Sequence, residues 1–127
     1  MSITAAISTF AAFGIQTAAV PTEILSTQSE GFGQPAVLNL DDWMTKAFKH
    51  WDHLADLNIE SAVIGYVGKI QTCRQLADQL TRLKLKRILV DPVMGDRGEM
   101  YAGFGEDYLE AITVSYTHLT LPTICSV

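Results

Sequence analysis

The sequence predicts an α/β fold that is doubly wound, with a largely parallel sheet and helices on both faces. Strand-like and helix-like segments alternate along the 127 residues, which is the order of βαβ units. The strand candidates are short, continuously apolar runs, the pattern of parallel strands that are covered on both sides. The helix candidates after residue 40 carry apolar residues three and four positions apart, so each has one apolar face.

The elements are taken in order from the N terminus. A helix over residues 2–13 is expected to end at Gly14, because glycine tolerates the left-handed conformation of helix ends. The run "IQTAAV" (15–20) predicts a short strand that ends at a proline. The remaining elements are a helix from Asp41 with Asp41 or Asp42 as its cap, a strand at 61–66, a helix from Ile70 to Leu83 and a strand at 87–91. Cys73 lies on the apolar stripe of the Ile70 helix and is predicted to be a core residue.

Composition and charge exclude several classes of function. The chain is large enough for one domain with its own core, and its net charge of −5 provides no basic surface for nucleic acid or acidic lipid. The apolar N-terminal stretch lacks the positive region of a signal peptide and is interrupted by Gly14 and Gln16, which predicts neither a signal peptide nor a membrane span. We therefore expect a cytoplasmic protein.

The segment "ILVDPVMGDRGEMY" (88–101) contains the clearest candidate site. Asp91 ends an apolar strand and Asp96 follows five residues later, around a turn expected at Gly95; ligands of open parallel sheets bind at the carboxyl ends of strands. The segments "PTEILSTQSEGFG" and "YVGK" follow two other predicted strands, so all three are expected on one rim. Two carboxylates suit Mg²⁺, which prefers carboxylate and water oxygens and carries substrate phosphates. The alternative is that Asp91 caps the turn and Asp96 is solvated.

Three motifs in this order resemble the pyridoxal/pyridoxamine kinases of the ribokinase-like superfamily. They are "GIQTAAVPTEILSTQSEGF", "AVIGYVGK" and "DPVMGDRGEMY", and the resemblance extends over residues 1 to about 112. It implies that residues 1–113 are a partial ribokinase-like domain of an ATP-dependent kinase. The substrate implied is the hydroxymethyl group of pyridoxal or a related vitamer of B6.

The resemblance also implies roles for four residues. Ser29 and Tyr66 match the family residues that contact the pyridine ring. Asp91 and Asp96 match the pair that faces the nucleotide phosphates and their metal, with Asp96 assigned to the metal. ATP and Mg²⁺ are the implied cofactors, and the intact family member is expected to be a homodimer.

The chain departs from the family at several points. Gln28 replaces the usual histidine of the substrate loop and Glu30 replaces a small residue, which affects the grip on the substrate or its choice. Family members have a strand and a glycine-containing turn before the first helix, and a glycine-rich anion hole with the catalytic aspartate after the part matched here. The chain matches neither, so we expect no catalytic base among its residues and no kinase activity from it alone.

The C-terminal stretch "VSYTHLTLPTICSV" (114–127) matches nothing in the family. It is expected to break the helix that begins at "EDYLEAI", and we interpret it as translated read-through of a sequencing adapter, with a divergent strand as the alternative. "GFGED" (103–107) is interpreted as a turn before that helix.

Two other functions remain open at this point. Hydroxymethylpyrimidine kinases of thiamin synthesis share the fold and the "DPVM" motif, but usually lack the "GD" that follows it here. A flavodoxin-like binding module without chemistry fits the βαβ pattern equally well.

Overall fold

The structure is a computed structural model that describes residues 3–28, 31–83, 85–96, 98–101 and 103–117; for Asp96, Tyr116 and Thr117 only the backbone is described. The helices in this part of the chain are α1 (Ile3–Ala12), α2 (Asp41–Trp51), α3 (Ile70–Arg82) and α4 (Glu106–Thr117). The strands are β1 (Glu23–Leu25), β2 (Val37–Asn39), β3 (Ser61–Ile64), β4 (Arg87–Val90), β5 (Gly95–Asp96) and β6 (Glu99–Met100). None of these helices is long and apolar enough to cross a membrane.

Two compact units are present. One comprises Ile7–Leu57, and the other comprises the described residues from Asn58 onwards together with the first turn of α1. Each is described by itself below.

The N-terminal segment follows the prediction for its helix but not for its strand. α1 ends shortly before Gly14, whose φ of +71° is the left-handed conformation that was expected there. Residues 15–20 form no strand, so the strand predicted for "IQTAAV" is wrong. An apolar run becomes a strand only where a neighbouring strand pairs with its backbone, and the described residues provide no such neighbour here.

An antiparallel pair that the sequence pattern did not reveal lies between α1 and α2. β1 pairs with β2 in antiparallel register. Ser26 closes the loop between them, because its N–H donates to the Ala36 carbonyl at 3.0 Å and its hydroxyl accepts the Ala36 N–H at 2.9 Å. The segment "PTEILSTQSEGFG", expected to be a loop, therefore contains a strand.

α2 lies where it was predicted, but its cap is different. The N-cap position is Leu40, while Asp41 and Asp42 lie in the first turn, so the predicted aspartate cap is wrong. The Oδ1 atom of Asn39 accepts the N–H of Asp41 at 3.0 Å and satisfies an amide group that has no partner within the helix. The two aspartates still favour the helix start, because carboxylates there interact with the positive end of the helix dipole.

The second unit contains the predicted βαβ arrangement. β3 and β4 are parallel, pairing from Ser61↔Arg87 to Ile64↔Val90, and α3 connects them. α3 buries the central part of its predicted apolar stripe, from Cys73 to Leu80, and lies against α4. The predicted α/β class and the core position of Cys73 are confirmed.

The two faces of the β3–β4 pair differ. Ile64 and Val90 are buried on one face, whereas Val63 and Leu89, which pair across the strands, are 49% and 45% exposed on the other. The sequence predicted a sheet that is covered on both faces. Within the described residues, the face that carries Val63 and Leu89 is only partly covered.

α4 extends further than predicted. It continues to Thr117, so the break expected at residue 114 is wrong. Ser115 is buried, and tertiary packing of this kind overrides the weak helix propensity of valine, serine and threonine. Residues 118–127, to which most of the read-through interpretation applies, lie outside the described residues.

Candidate functional site

Tyr66 and Asp91 follow neighbouring parallel strands at the same edge of the sheet. The last paired residues are Ile64 and Val90. The N–H of Asp91 donates to the Ile64 carbonyl at 2.9 Å, which continues the pairing by one residue, and Tyr66 lies two positions past Ile64. Because ligands of open α/β sheets bind at the carboxyl ends of strands, this edge is the candidate site.

Asp91 presents an exposed carboxylate at this edge. Among the described residues, no group forms a hydrogen bond or an ion pair with that carboxylate. The turn after the strand is closed instead by the backbone, since the Val93 N–H donates to the Asp91 carbonyl at 2.8 Å. The alternative in which the Asp91 carboxylate caps the turn is therefore not observed, and the carboxylate can meet a cation.

Tyr66 places an aromatic ring at the same edge. The residue is 37% exposed, and its ring centroid lies 5.7 Å from that of Phe104, with an angle of 34° between the planes. One side of the ring is thus supported by a second aromatic ring, while part of its surface meets solvent. A ring of this kind offers a planar heteroaromatic ligand a surface for stacking.

Sequence reasoning missed the two aromatic residues behind Tyr66. The rings of Phe104 and Tyr108 stack with centroids 3.8 Å apart and planes within 5°, so the three rings form one column. The spacing of four residues between Phe104 and Tyr108 could have predicted that these two rings are neighbours. No pattern in the sequence predicts that either of them contacts Tyr66. The turn predicted for "GFGED" is confirmed: the Phe104 N–H donates to the Tyr101 carbonyl at 3.1 Å, and Gly103 has a φ of +92°.

The other two predicted site residues are only partly located. The backbone of Asp96 lies in β5 and pairs with Glu99 of β6, but its side chain is outside the described part, as is all of Ser29. The turn expected around Gly95 lies instead after Asp96, where Gly98 has a φ of +82°. The proximity of Asp96 and Ser29 to Tyr66 and Asp91 stays a prediction.

An exposed carboxylate, that of Asp91, is a possible metal donor at this edge. The described residues contain no group of three or more histidine, cysteine, aspartate or glutamate side chains that could hold a metal together. Mg²⁺ usually takes one or two carboxylates from the protein, with water and substrate phosphates in its other positions. Asp91 provides one carboxylate of the required kind.

The fold is shared with kinases of known structure. The pyridoxal kinase from Lactobacillus plantarum is 39% identical, with a TM-score of 0.81, over 91% of this chain and 41% of that one. A protein from Bacteroides thetaiotaomicron, provisionally named phosphomethylpyrimidine kinase, is 25% identical over 92% of this chain and 41% of that one, with a TM-score of 0.83. A second crystal form of the Bacteroides protein, with pyridoxal, gives the same values. The chain spans about 41% of the length of these proteins.

No protein-family model matches the chain, and no curated protein matches it at a significant level. The structural neighbours nevertheless share the fold of this chain, and one of them, the pyridoxal kinase, is 39% identical to it in sequence. This agreement confirms the resemblance that the three motifs indicated. The chain therefore belongs to the ribokinase-like superfamily, together with the pyridoxal kinases and phosphomethylpyrimidine kinases whose fold it shares.

Proposed function

We propose that the chain is part of an ATP-dependent kinase that phosphorylates the 5'-hydroxymethyl group of pyridoxal, pyridoxine or pyridoxamine. The observation that carries the proposal is the 39% identity to a pyridoxal kinase over 91% of the chain. That segment includes the edge at which Tyr66 and Asp91 follow neighbouring strands. A stacking surface and an exposed carboxylate at one edge suit a planar substrate that reacts with a phosphate group.

Tyr66 and Ser29 are proposed to contact the pyridine ring. Tyr66 presents a ring whose one side rests on Phe104, so a planar substrate can stack on the part that meets solvent. Ser29 provides a hydroxyl over the ring, as the resemblance implies. Holding the ring fixes the position of its hydroxymethyl group, and positioning accounts for much of the catalysis of phosphoryl transfer.

Asp91 and Asp96 are proposed to face the nucleotide phosphates and their metal. Mg²⁺, when bound, neutralises charge on the phosphate oxygens. Asp91 suits this role because its carboxylate is exposed, while the bond from its N–H to the Ile64 carbonyl holds its backbone in place. Asp96 is assigned to the metal by the resemblance. The family base that takes the proton from the substrate hydroxyl has no counterpart among the residues matched here.

The second candidate is a hydroxymethylpyrimidine kinase. Its support is the TM-score of 0.83 to the Bacteroides protein that carries a phosphomethylpyrimidine kinase name. The "GD" of "DPVMGD" and the pyridoxal in a second crystal form of that same protein lead us to rank the pyridoxal kinase first. A flavodoxin-like binding module without catalytic activity is the third hypothesis.

Ligand titrations distinguish these three functional hypotheses. The 127-residue chain is titrated with pyridoxal, hydroxymethylpyrimidine and FMN, and thermal shift and calorimetry are recorded for each. We expect the tightest binding for pyridoxal. Tighter binding of hydroxymethylpyrimidine would favour the second candidate, and binding of FMN alone would favour the third.

A chimaera tests whether the segment supports phosphoryl transfer. In it, residues 1–113 of this chain replace the matching segment of the Lactobacillus plantarum pyridoxal kinase. We expect pyridoxal-dependent turnover of ATP by the chimaera and none by the 127-residue chain alone. A chimaera that unfolds cooperatively and binds pyridoxal, but does not turn over ATP, would contradict the phosphate-site assignment.

We further propose that the intact kinase is a homodimer that acts in the cytoplasm on a free vitamer. The support is the resemblance, together with a net charge of −5 that favours neither nucleic acid nor acidic lipid as a partner. Light scattering on a longer protein that contains this segment would test the dimer, since a monomer at micromolar concentration would contradict it.

A further inference from the structure

The aromatic column at the candidate site is fixed at its inner end. Tyr108 is only 3% exposed, stacks on Phe104, and donates its hydroxyl to the backbone carbonyl of Val67. Val67 directly follows Tyr66 and is itself buried. The start of α4 is therefore joined to the β3–α3 loop by a hydrogen bond and by the column of rings.

The backbone at Phe104 and Tyr108 is fixed by hydrogen bonds as well. Phe104 lies in the turn before α4, where its N–H donates to the Tyr101 carbonyl at 3.1 Å. Four residues later, the Tyr108 N–H donates to the Gly105 carbonyl at 3.1 Å and to the Asp107 Oδ1 atom at 2.9 Å. These bonds fix the backbone positions from which the rings of Phe104 and Tyr108 project, and Tyr66 takes part in none of them.

Tyr66 is the outer member of the column and is 37% exposed. A tyrosine in a loop at this exposure would ordinarily sample several rotamers, and binding a ligand would then require it to lose that freedom. Contact with Phe104 at 5.7 Å restricts the ring before any ligand arrives. The orientation of Tyr66 thus depends on Phe104, which is distant in sequence and half-buried, and on the buried Tyr108 against which Phe104 stacks.

We propose that Phe104 is a positioning residue for substrate binding: it holds the Tyr66 ring in the orientation that receives the pyridine ring, and Tyr108 supports it from the inner side. The proposal rests on the proposed function, because it assumes that Tyr66 contacts the substrate. It adds a determinant of affinity that none of the three sequence motifs contains.

The first test needs no substitution. In the wild-type chain with labelled aromatic rings, nuclear Overhauser effects are expected between the ring protons of Tyr66 and Phe104, and the Tyr66 signals should be displaced by the ring current of Phe104. Absence of both effects in the folded chain would overturn the proposal.

The second test uses Phe104→Leu, which keeps an apolar side chain but removes the ring. We expect the Tyr66 signals to lose their displacement and the Kd for pyridoxal, from calorimetry, to rise roughly 2- to 12-fold, the range of one aromatic pair. Phe104→Tyr keeps the ring, so the Tyr66 signals and the Kd for pyridoxal should both stay at their wild-type values. Phe48→Leu is the matched control, since Phe48 is a buried phenylalanine of the other unit that contacts Trp51; it should lower stability and leave the Tyr66 signals unchanged.

Tyr66→Leu distinguishes failure of this inference from failure of the proposed function. If Tyr66→Leu weakens pyridoxal binding and Phe104→Leu does not, Phe104 has no positioning role, while the proposed substrate site stands. If wild type does not bind pyridoxal, or Tyr66→Leu binds it as tightly as wild type does, the substrate site at Tyr66 is wrong and the role of Phe104 falls with it. If Phe104→Leu does not fold, the comparison of Phe104→Tyr with wild type and the spectra of the wild-type chain decide the question.

Discussion

The hydroxyl of Tyr108 donates to the backbone carbonyl of Val67, 41 residues earlier in the chain. Both residues are buried, so the bond connects the start of α4 to the loop that leaves β3 in a place that water does not reach. That loop also contains Tyr66. The bond therefore links the packing of α4 to the geometry of the candidate site.

Tyr108→Phe removes this bond and keeps the stacked ring. The Val67 carbonyl would then be buried without that donor, which costs about 1–3 kcal/mol of the free energy of unfolding. Urea unfolding of the wild-type and variant chains measures the difference. Tyr101→Phe is the control, because the Tyr101 hydroxyl has no hydrogen bond within the described residues, and a change within about 0.5 kcal/mol is expected. Equal effects of the two variants would contradict the importance of the Tyr108 bond.

The parts of the fold that were predicted correctly are those that depend on patterns within a short stretch of sequence. α3 was predicted because its apolar residues repeat at helical spacing, and the parallel β3–β4 pair because a helix separates two short apolar runs. The contact of Tyr66 with Phe104 has no periodicity that could reveal it. It arises because α4 lies against α3 and brings two distant turns to the same edge.

The errors have equally specific causes. β1 lies within a polar, glycine-containing stretch, and it is a strand because β2 pairs with it, a partner that no pattern in residues 23–25 indicates. A β-prone, threonine-rich composition and the lack of a family match suggested that the helix would break at residue 114, yet α4 continues to Thr117. In both cases tertiary contacts outweigh local preference.

The difference between the faces of the β3–β4 pair predicts opposite tolerance at two adjacent positions. Val63→Thr keeps a branched Cβ on the exposed face, so we expect the free energy of unfolding to stay within about 0.5 kcal/mol of wild type. Ile64→Thr removes apolar volume from the buried face and adds a hydroxyl there, which should cost about 2 kcal/mol or more. Urea unfolding gives both values. Similar losses at the two positions would show that the Val63 face is covered as well.

The amino ends of the same strands carry a prediction about pH. Lys86 Nζ lies 3.1 Å from Glu60 Oε1, and the hydrogen bond from Lys86, aided by its charge, lowers the pKa of Glu60 below its usual value. A carboxyl whose pKa falls on folding stabilises the fold above its unfolded pKa, and this stabilisation is lost as the pH falls through the folded pKa. The effect is expected to be small, because both side chains are more than half exposed and solvent screens the pair.

Glu60→Gln should therefore lower stability slightly at pH 7 and should lower it less at an acidic pH, because the stabilisation is lost as the pH falls through the folded pKa of Glu60. Denaturant unfolding of both chains at the two pH values measures this, and 1 M salt should reduce the difference seen at pH 7. A loss of the same size at both pH values would show that the ion pair is not its origin. Asp56→Asn, at another exposed carboxylate, is the control for a change of net charge.

Gly95 is required by a close approach of two strands. A Cβ at this position would collide with the Glu99 carbonyl oxygen of β6, so Gly95→Ala should open the β5–β6 hairpin at a cost of about 1–3 kcal/mol. Hydrogen exchange reports the change at the Tyr101 N–H, which donates to the Met94 carbonyl at 2.9 Å. Gly33→Ala strains a positive φ in the other unit and should leave the Tyr101 amide protected. Unchanged protection in Gly95→Ala would mean that the hairpin accepts a side chain there.

The last prediction concerns the two aspartates proposed to face the phosphates and their metal, studied in the chimaera with the Lactobacillus plantarum kinase. Asp91→Asn should leave stability within about 0.5 kcal/mol, because its carboxylate has no partner among the described residues. It should nevertheless lower turnover about tenfold or more, the effect of losing one charge-assisted contact to the metal or its water shell. Asp96→Asn should act similarly, and both changes should raise the Mg²⁺ concentration needed for half-maximal rate.

Asp56→Asn controls for the loss of one negative charge, since Asp56 is exposed in the other unit and should leave the rate unchanged. The Mg²⁺ dependence separates a metal role from a general loss of activity, because a variant that only perturbs the fold lowers the rate at every Mg²⁺ concentration by the same factor. A rate and a Mg²⁺ dependence that both remain at wild-type values in Asp91→Asn and Asp96→Asn would show that the carboxylates do not face the metal. The identity to the pyridoxal kinase would then reflect the shared fold, and the phosphate site would have to be sought at other residues.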